Sequence, residues 1–266
     1  MKWALIGFVQ LWFAILILAP AIALLRAAVE GGLGSFVRAV SAPEAVAAFR
    51  LTFGVTAIAT VVNTVFGVAI AVVLVRHRFP GKAIVDGLVD LPFAVSPIIA
   101  GLMLVVLYGP GSPIGRRLAE WGVGVVYELP GLVLATTFVT LPFVVREVVP
   151  VLREFGVDQE EVARTLGAGR WTTFVRVTLP SIRWGLAYGV MLTISRSLGE
   201  FGALMVVSGN IIGRTQTATL YIHDEIESFE PRGAYAAGLA LAAVSFILMI
   251  GMERVRARVE AAEHGD

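Results

Sequence analysis

The sequence predicts an all-α polytopic membrane protein with six transmembrane helices. Three observations carry that prediction. Of 266 residues, 57% are apolar and only 15% charged, and the mean hydropathy is +0.83; a soluble domain has about a quarter of its residues charged. Six apolar runs of bilayer length alternate with polar segments. With six spans in place, twelve Lys and Arg residues fall on one side and seven on the other, with Arg146 near an interface and Arg196 inside a span. The richer side is cytoplasmic by the positive-inside rule, so both termini are expected in the cytosol and the chain in the cell (inner) membrane. A net charge of +1 gives no footprint for nucleic acid. The chain has no cysteine, and His77, His223 and His264 lie too far apart to pair as metal ligands.

The first span is the run from Trp3 to Leu25, about 34 Å long at ~1.5 Å per residue. That exceeds the ~30 Å of hydrocarbon, and the run is too long for a signal core. Residues 26–50 are polar and form an exterior loop. The second span, 51–75, carries Thr52, Thr56, Thr60, Asn63 and Thr64 as a stripe at helical spacing. Such a stripe faces other helices or a water-filled path. A basic turn, Arg76 to Lys82, leads into the third span, 84–108, where Pro92 and Pro97 free backbone groups that lipid cannot satisfy. Residues 109–128 are a second exterior loop. The fourth span is 129–149 and contains Pro142, the fifth is 183–207, and the sixth is 235–252. Residues 208–234 form a polar re-entry segment. The predicted units are 1–50, a first helix with its loop; 51–253, a membrane core; and 254–266, a polar cytoplasmic tail.

Between the fourth and fifth spans lies the segment of greatest interest, Asp158 to Pro180. It reads as two short helices. Asp158 with Glu161 has the spacing of a capping box, Val162 and Leu166 share a face, and Gly167 supplies a left-handed stop. Trp171, Phe174 and Val175 make a second apolar face, and Leu179-Pro180 is expected to end that helix. Helices this short cannot span a bilayer or build a core; they dock onto something. An amphipathic hairpin lying on the membrane surface is the alternative.

Glu161-Val162-Ala163, three residues, Gly167, nine residues, then Val177-Thr178-Leu179-Pro180 resembles the EAA loop of ABC importer permeases. Val162 stands where that family commonly has Ala, and Val177 where it commonly has Ile. The resemblance implies a coupling loop over 155–180 that sits in a groove of a separate ATPase subunit. Glu161, Ala163, Gly167, Trp171, Phe174, Leu179 and Pro180 are the candidate coupling residues.

Two further features bear on substrate. Arg196 and Glu200 are one helical turn apart in the fifth span, where a charge costs roughly 2.5–3.5 kcal/mol. They read either as an ion pair locking the helix to its neighbours or as an anion-path cation oriented by its carboxylate. The stretch from Ser208 to Thr217 supplies hydroxyl, amide and cationic donors, with no carboxylate until Asp224. Donors alone suit an oxyanion; an ordinary glycine-rich exterior loop is the other reading. Arg196, Glu200, Ser208, Asn210, Arg214 and Thr215 are the substrate-path candidates.

Asp90-Leu91-Pro92-Phe93-Ala94-Val95-Ser96-Pro97, Leu141-Pro142-Phe143-Val144 and the runs from Arg196 to Ala203 and from Val206 to Gly209 resemble the permease subunits of sulfate/thiosulfate importers. Residues 210–217 also resemble molybdate permeases, so molybdate or tungstate is the alternative substrate. The resemblance implies a type I ABC importer permease fold and alternating access driven by a partner. It implies two ATPase subunits that bind ATP and Mg, a second permease subunit (a copy or a relative), and an extracytoplasmic sulfate-binding protein. It implies no cofactor held by this chain. No GxxxxGK[ST] loop, HExxH or GxSxG motif is present, which argues against an enzyme. A channel would not need the docking loop.

Overall fold

The computed structural model describes residues 2–228 and 231–263, and these are helix and connecting loop without strand. The first span is α1 (Lys2–Phe13), a π turn (Ala14–Leu18) and α2 (Ala19–Val29). Leu5–Val29 is long and apolar enough to cross a membrane, yet none of the residues in its apolar window is buried. The expected exterior loop is itself largely helical. α3 (Leu33–Val40) amid it precedes α4 (Pro43–Arg76), which starts at Pro43 because proline suits the first helical turn. α4 therefore begins eight residues before the expected second span.

The third span is not one rod. It divides into α5 (Lys82–Ala94) and α6 (Pro97–Tyr108), bent by 115°. Val95 and Ser96 are extended (ψ 134° and 138°), and at Ser96 this is the conformation that the following Pro97 imposes. A short amphipathic helix, α7 (Pro113–Glu120), is capped by Ser112 Oγ, which accepts from Gly115 N (2.8 Å). α8 (Leu129–Phe155) runs on past the expected end of the fourth span. After α9 (Asp158–Thr165), α10 (Arg170–Thr173), a π turn (Phe174–Thr178), α11 (Leu179–Ser181) and α12 (Arg183–Leu198) follow in close succession.

The fifth span is also interrupted. α12 stops at Leu198 and α13 (Gly202–Val207) resumes three residues later. α14 (Ala218–Glu227) occupies the re-entry segment, and α15 (Pro231–Glu263) forms the last span. The polar tail continues α15 as far as Glu263; residues 264–266, and with them His264, lie outside the described residues. Among the described residues, four helices are long and apolar enough to span, and the bent α5–α6 pair makes a fifth. The remaining expected span is the broken α12–α13 pair.

α4 and α8 form the most extensive helix pair, and α12 packs on both. One core cluster, including Leu74, Val144, Val148, Leu152 and Ile182, lies toward the end bearing α9. A second, with Val55, Leu132, Ala203 and Leu220, lies toward the other end. Close approach needs small residues: a Cβ on Gly67 would sit 2.7 Å from Val144 Cγ1, and one on Gly189 2.9 Å from Val144 Cα. The polar stripe of α4 faces this seam. Asn63, fully buried, donates through Nδ2 to Thr140 Oγ1 (2.7 Å) and Thr137 O (3.2 Å). Thr52 Oγ1 accepts from Ala218 N (2.8 Å), fixing the start of α14. The stripe is thus largely helix–helix packing, with half-buried Thr64 bonding back to Thr60 O (2.7 Å).

Candidate functional site: the loop between the fourth and fifth spans and the polar knot

The docking loop begins where Gly156 turns the chain with φ +68°. The expected capping box is absent: Val157 is the N-cap, no side chain caps the helix, and Asp158 is already its first residue. Asp158, Glu160 and Glu161 instead place three carboxylates in the first turn, where they complement the helix dipole. Gly167 ends the element with φ +88° and Ala168 N bonds to Ala163 O (3.0 Å), as the spacing predicts.

What anchors the loop is Glu160, which is 4% exposed. Its Oε1 accepts from Arg76 Nε (3.2 Å), Arg76 Nη2 (3.0 Å) and Thr178 Oγ1 (2.8 Å). Arg76 also donates to Leu152 O (3.2 Å) and Gly156 O (2.6 Å). Arg164 Nη2 lies 3.5 Å from the other carboxylate oxygen. One buried carboxylate thus ties α4, α8, α9 and the second half of the loop together. The sequence reading singled out Glu161, which is exposed. Neighbouring helix residues point about 100° apart, and the pairing of Arg76 with an acid far along the chain left no local trace.

Pro180 does not end a helix. The π turn bonds Leu179 N to Phe174 O, and the wider turn accommodates the proline, which has no N–H to give. The same device precedes Pro20, where Ala19 N bonds to Ala14 O. The Trp171/Phe174 face is likewise split. Their rings lie 5.7 Å apart, but Phe174 and Leu179 pack against the core cluster, while Trp171 is exposed. Outward-facing apolar groups are Val162 (58% exposed) and Leu166 (83%).

At the break in the fifth span, Glu200 stands outside helix α12, not within it. Its side chain is fully buried; Oε2 lies 2.7 Å from Arg196 Nη2, and Oε1 accepts from Ala203 N (2.9 Å), capping α13. The Glu200 carbonyl accepts from Thr219 Oγ1 (2.7 Å) on α14. The ion pair therefore knits three helices, while the Arg196 side chain remains one-third exposed.

The donor-rich stretch is closed on itself. Asn210, at φ +51°, donates through Nδ2 to both oxygens of Asp224 (2.7 and 2.8 Å), and Gln216 Nε2 donates to Asp224 Oδ2 (2.7 Å). Ser208 Oγ accepts from Asn210 N, Thr215 Oγ1 donates to Ser208 O (2.7 Å), and Arg214 donates to Glu128 (3.0 Å). Of the donors that one reading offers to an anion, the Asn210 and Gln216 amides bond to Asp224 and Thr215 Oγ1 bonds to Ser208 O, while Arg214 pairs with Glu128 yet stays largely exposed. Two ion pairs escaped the sequence reading altogether: Arg146 bonds Asp86 (2.7 Å) and Asp90 (2.6 Å), clamping α5 to α8. Among the described residues no cluster of three or more His, Asp or Glu has the arrangement of a metal site.

Residues 63–261 match the family model described as "Binding-protein-dependent transport system inner membrane component". The sulfate transport system permease protein CysW of Synechocystis sp. is 44% identical over 257 residues, covering 97% of this chain and 93% of that protein. The sulfate transport system permease protein CysT of Escherichia coli (strain K12) is 36% identical over 95% of this chain and 91% of its own length. A chain of a bacterial alginate ABC transporter, crystallised with an alginate-bound periplasmic protein, superposes with a TM-score of 0.82 at 19% identity, over 97% of this chain and 94% of that one. That likeness concerns the fold.

Proposed function

The chain belongs to the binding-protein-dependent transport system inner membrane component family, and from that premise we propose that it is the permease subunit of an ATP-driven sulfate importer. It is a multi-pass membrane protein and a transport subunit, not an enzyme; ATP hydrolysis belongs to a partner. Relatives named both CysW and CysT support a hetero-dimeric permease pair served by a binding protein. We place two ATPase subunits beneath that pair, and both termini of this chain in the cytosol.

The observation that carries the coupling role is the docking loop itself. An α9 whose outer face bears exposed Val162 and Leu166 is fastened from behind by buried Glu160 and Arg76. A rigid knob with an apolar tip transmits force; a loosely tethered one does not. In this reading Glu161, Ala163, Gly167 and Trp171 face or shape the ATPase contact. Phe174, Leu179 and Pro180 pass its motion into α12. The breaks at 95–96 and 199–201 are the hinges of alternating access. Arg196 is the path cation and Glu200 sets its position, while Ser208, Asn210, Arg214 and Thr215 hold the shape of the adjoining loop.

The test is uptake of labelled sulfate by the complex in vesicles, with the binding protein supplied and molybdate in hundredfold excess. ATP-dependent uptake that molybdate leaves intact is expected. Uptake blocked by molybdate would transfer the assignment to another oxyanion, and flux without the ATPase would make the protein a channel.

A further inference from the structure

An apolar groove of about 570 Å³ runs along α4 between Thr64 and Val73, closed on its other side by Trp171, Phe174, Leu179 and Leu186. From residue 65 to residue 73 the helix rises about 12 Å, close to half the ~30 Å hydrocarbon thickness. Thr64 is its one polar lining residue. A second cavity of about 470 Å³ adjoins it, and the two share Val72 and Phe174. The second is polar, lined among others by Arg76, His77, Glu160, Glu161, Arg164 and Arg170.

The charges in that cavity are not balanced. Arg76 and Glu160 neutralise each other at 3.0 Å. Arg164 leans on the same carboxylate at 3.5 Å, and Arg170 makes no ion pair among the described residues. Glu161 alone opposes these two cations, so the pocket keeps a positive excess beside an apolar trough as deep as one leaflet.

We propose that the two cavities together form a binding site for one anionic phospholipid of the cytoplasmic leaflet, its phosphate held by Arg170 and Arg164 and one acyl chain laid along α4 beneath Trp171. The chemistry is complementary at both ends: a cationic, donor-rich pocket for the headgroup and an apolar trough for the chain. Phe174 lines both cavities where they meet, and Trp171, largely exposed, closes the trough over α4. Such a lipid would bridge α4 to the second half of the docking loop. The assignment rests on the membrane reading and, for the choice of leaflet, on the proposed orientation; it is independent of the substrate.

The test is native mass spectrometry of the detergent-purified transporter complex, incubated with equal phosphatidylglycerol and phosphatidylcholine. Wild type should retain one phosphatidylglycerol in preference to phosphatidylcholine. Arg170→Gln should reduce that preference about five-fold, the worth of one basic residue at an anionic surface. Ala69→Phe, at an exposed position in the trough, should lower retention of both lipids; Val65→Phe serves the same purpose if that variant fails to assemble. Equal retention by wild type and both variants overturns the proposal. So does inorganic phosphate binding that survives Ala69→Phe, which would mark a free-anion site. Efficient cross-linking of Ala69→Cys to the second permease would show a protein helix in the trough and would also overturn it.

Discussion

Replacing Glu160 by Gln removes the charge on which the docking loop hangs while keeping the side chain's size. The carboxylate accepts three donors on one oxygen, and both it and Arg76 are nearly buried, with side chains 5% and 11% exposed. Removing one member of a buried ion pair costs about 3–5 kcal/mol. Arg76 keeps its bonds to Leu152 O and Gly156 O, and Gln still offers Thr178 an acceptor, so the lower end, about 3 kcal/mol, is expected. This cost falls on the packing of α9 and not on the spans. Hydrogen exchange of the amides in 158–165 should therefore accelerate about 10²-fold, with the exchange of α4 and α8 unchanged. In vesicles the variant should hydrolyse ATP but import poorly. A double-mutant cycle with Arg76→Gln should return a coupling energy above about 1 kcal/mol. Loop exchange within twofold of wild type would show that Glu160 does not anchor α9.

Three other outcomes are expected. Gly167→Val places a β-branched residue at φ +88°, where its Cβ meets nothing within 4 Å, so the cost is conformational, about 1–2 kcal/mol; membrane insertion and complex assembly should be normal and uptake should fall about tenfold at unchanged ATP hydrolysis. Asn63→Leu forfeits the bonds to Thr137 and Thr140 and should cost about 1 kcal/mol, read as a fall of a few degrees in Tm with the assembled complex intact. Glu200→Gln keeps an acceptor for Ala203 N, whereas Glu200→Ala loses both that cap and the partner of Arg196. With Arg196 one-third exposed, screening holds the alanine penalty to about 1–3 kcal/mol, and its Tm should be clearly below that of the glutamine variant.

Periodicity made much of this architecture readable. The polar residues of α4 recur every third or fourth residue, and that spacing turns most of them inward, Asn63 toward α8 and Thr52 toward α14. Gly167 was readable because a left-handed stop leaves little choice of residue. Proline was a poorer guide: it broke the third span at Pro97, yet the chain passed Pro180 by widening a turn. Long-range pairing was invisible. Nothing in the local sequence separates Glu160 from Glu161; only its closeness to Arg76 in space distinguishes them. The stretch after Ser208 looked like a donor set awaiting an anion because Asp224, fourteen residues beyond Asn210, gives no local sign that the chain folds back on it.

The first apolar helix packs on its own subunit through its later half, against α15, and the window that would cross the bilayer has no buried residue. Lipid tails satisfy such a surface but do not orient it, since they are as apolar as the side chains they touch. Its tilt and rotation are then settled by whatever neighbour it meets in the plane of the membrane. In a subunit that has not met such a neighbour, the outer part of this arm stays unrestrained in the plane of the membrane.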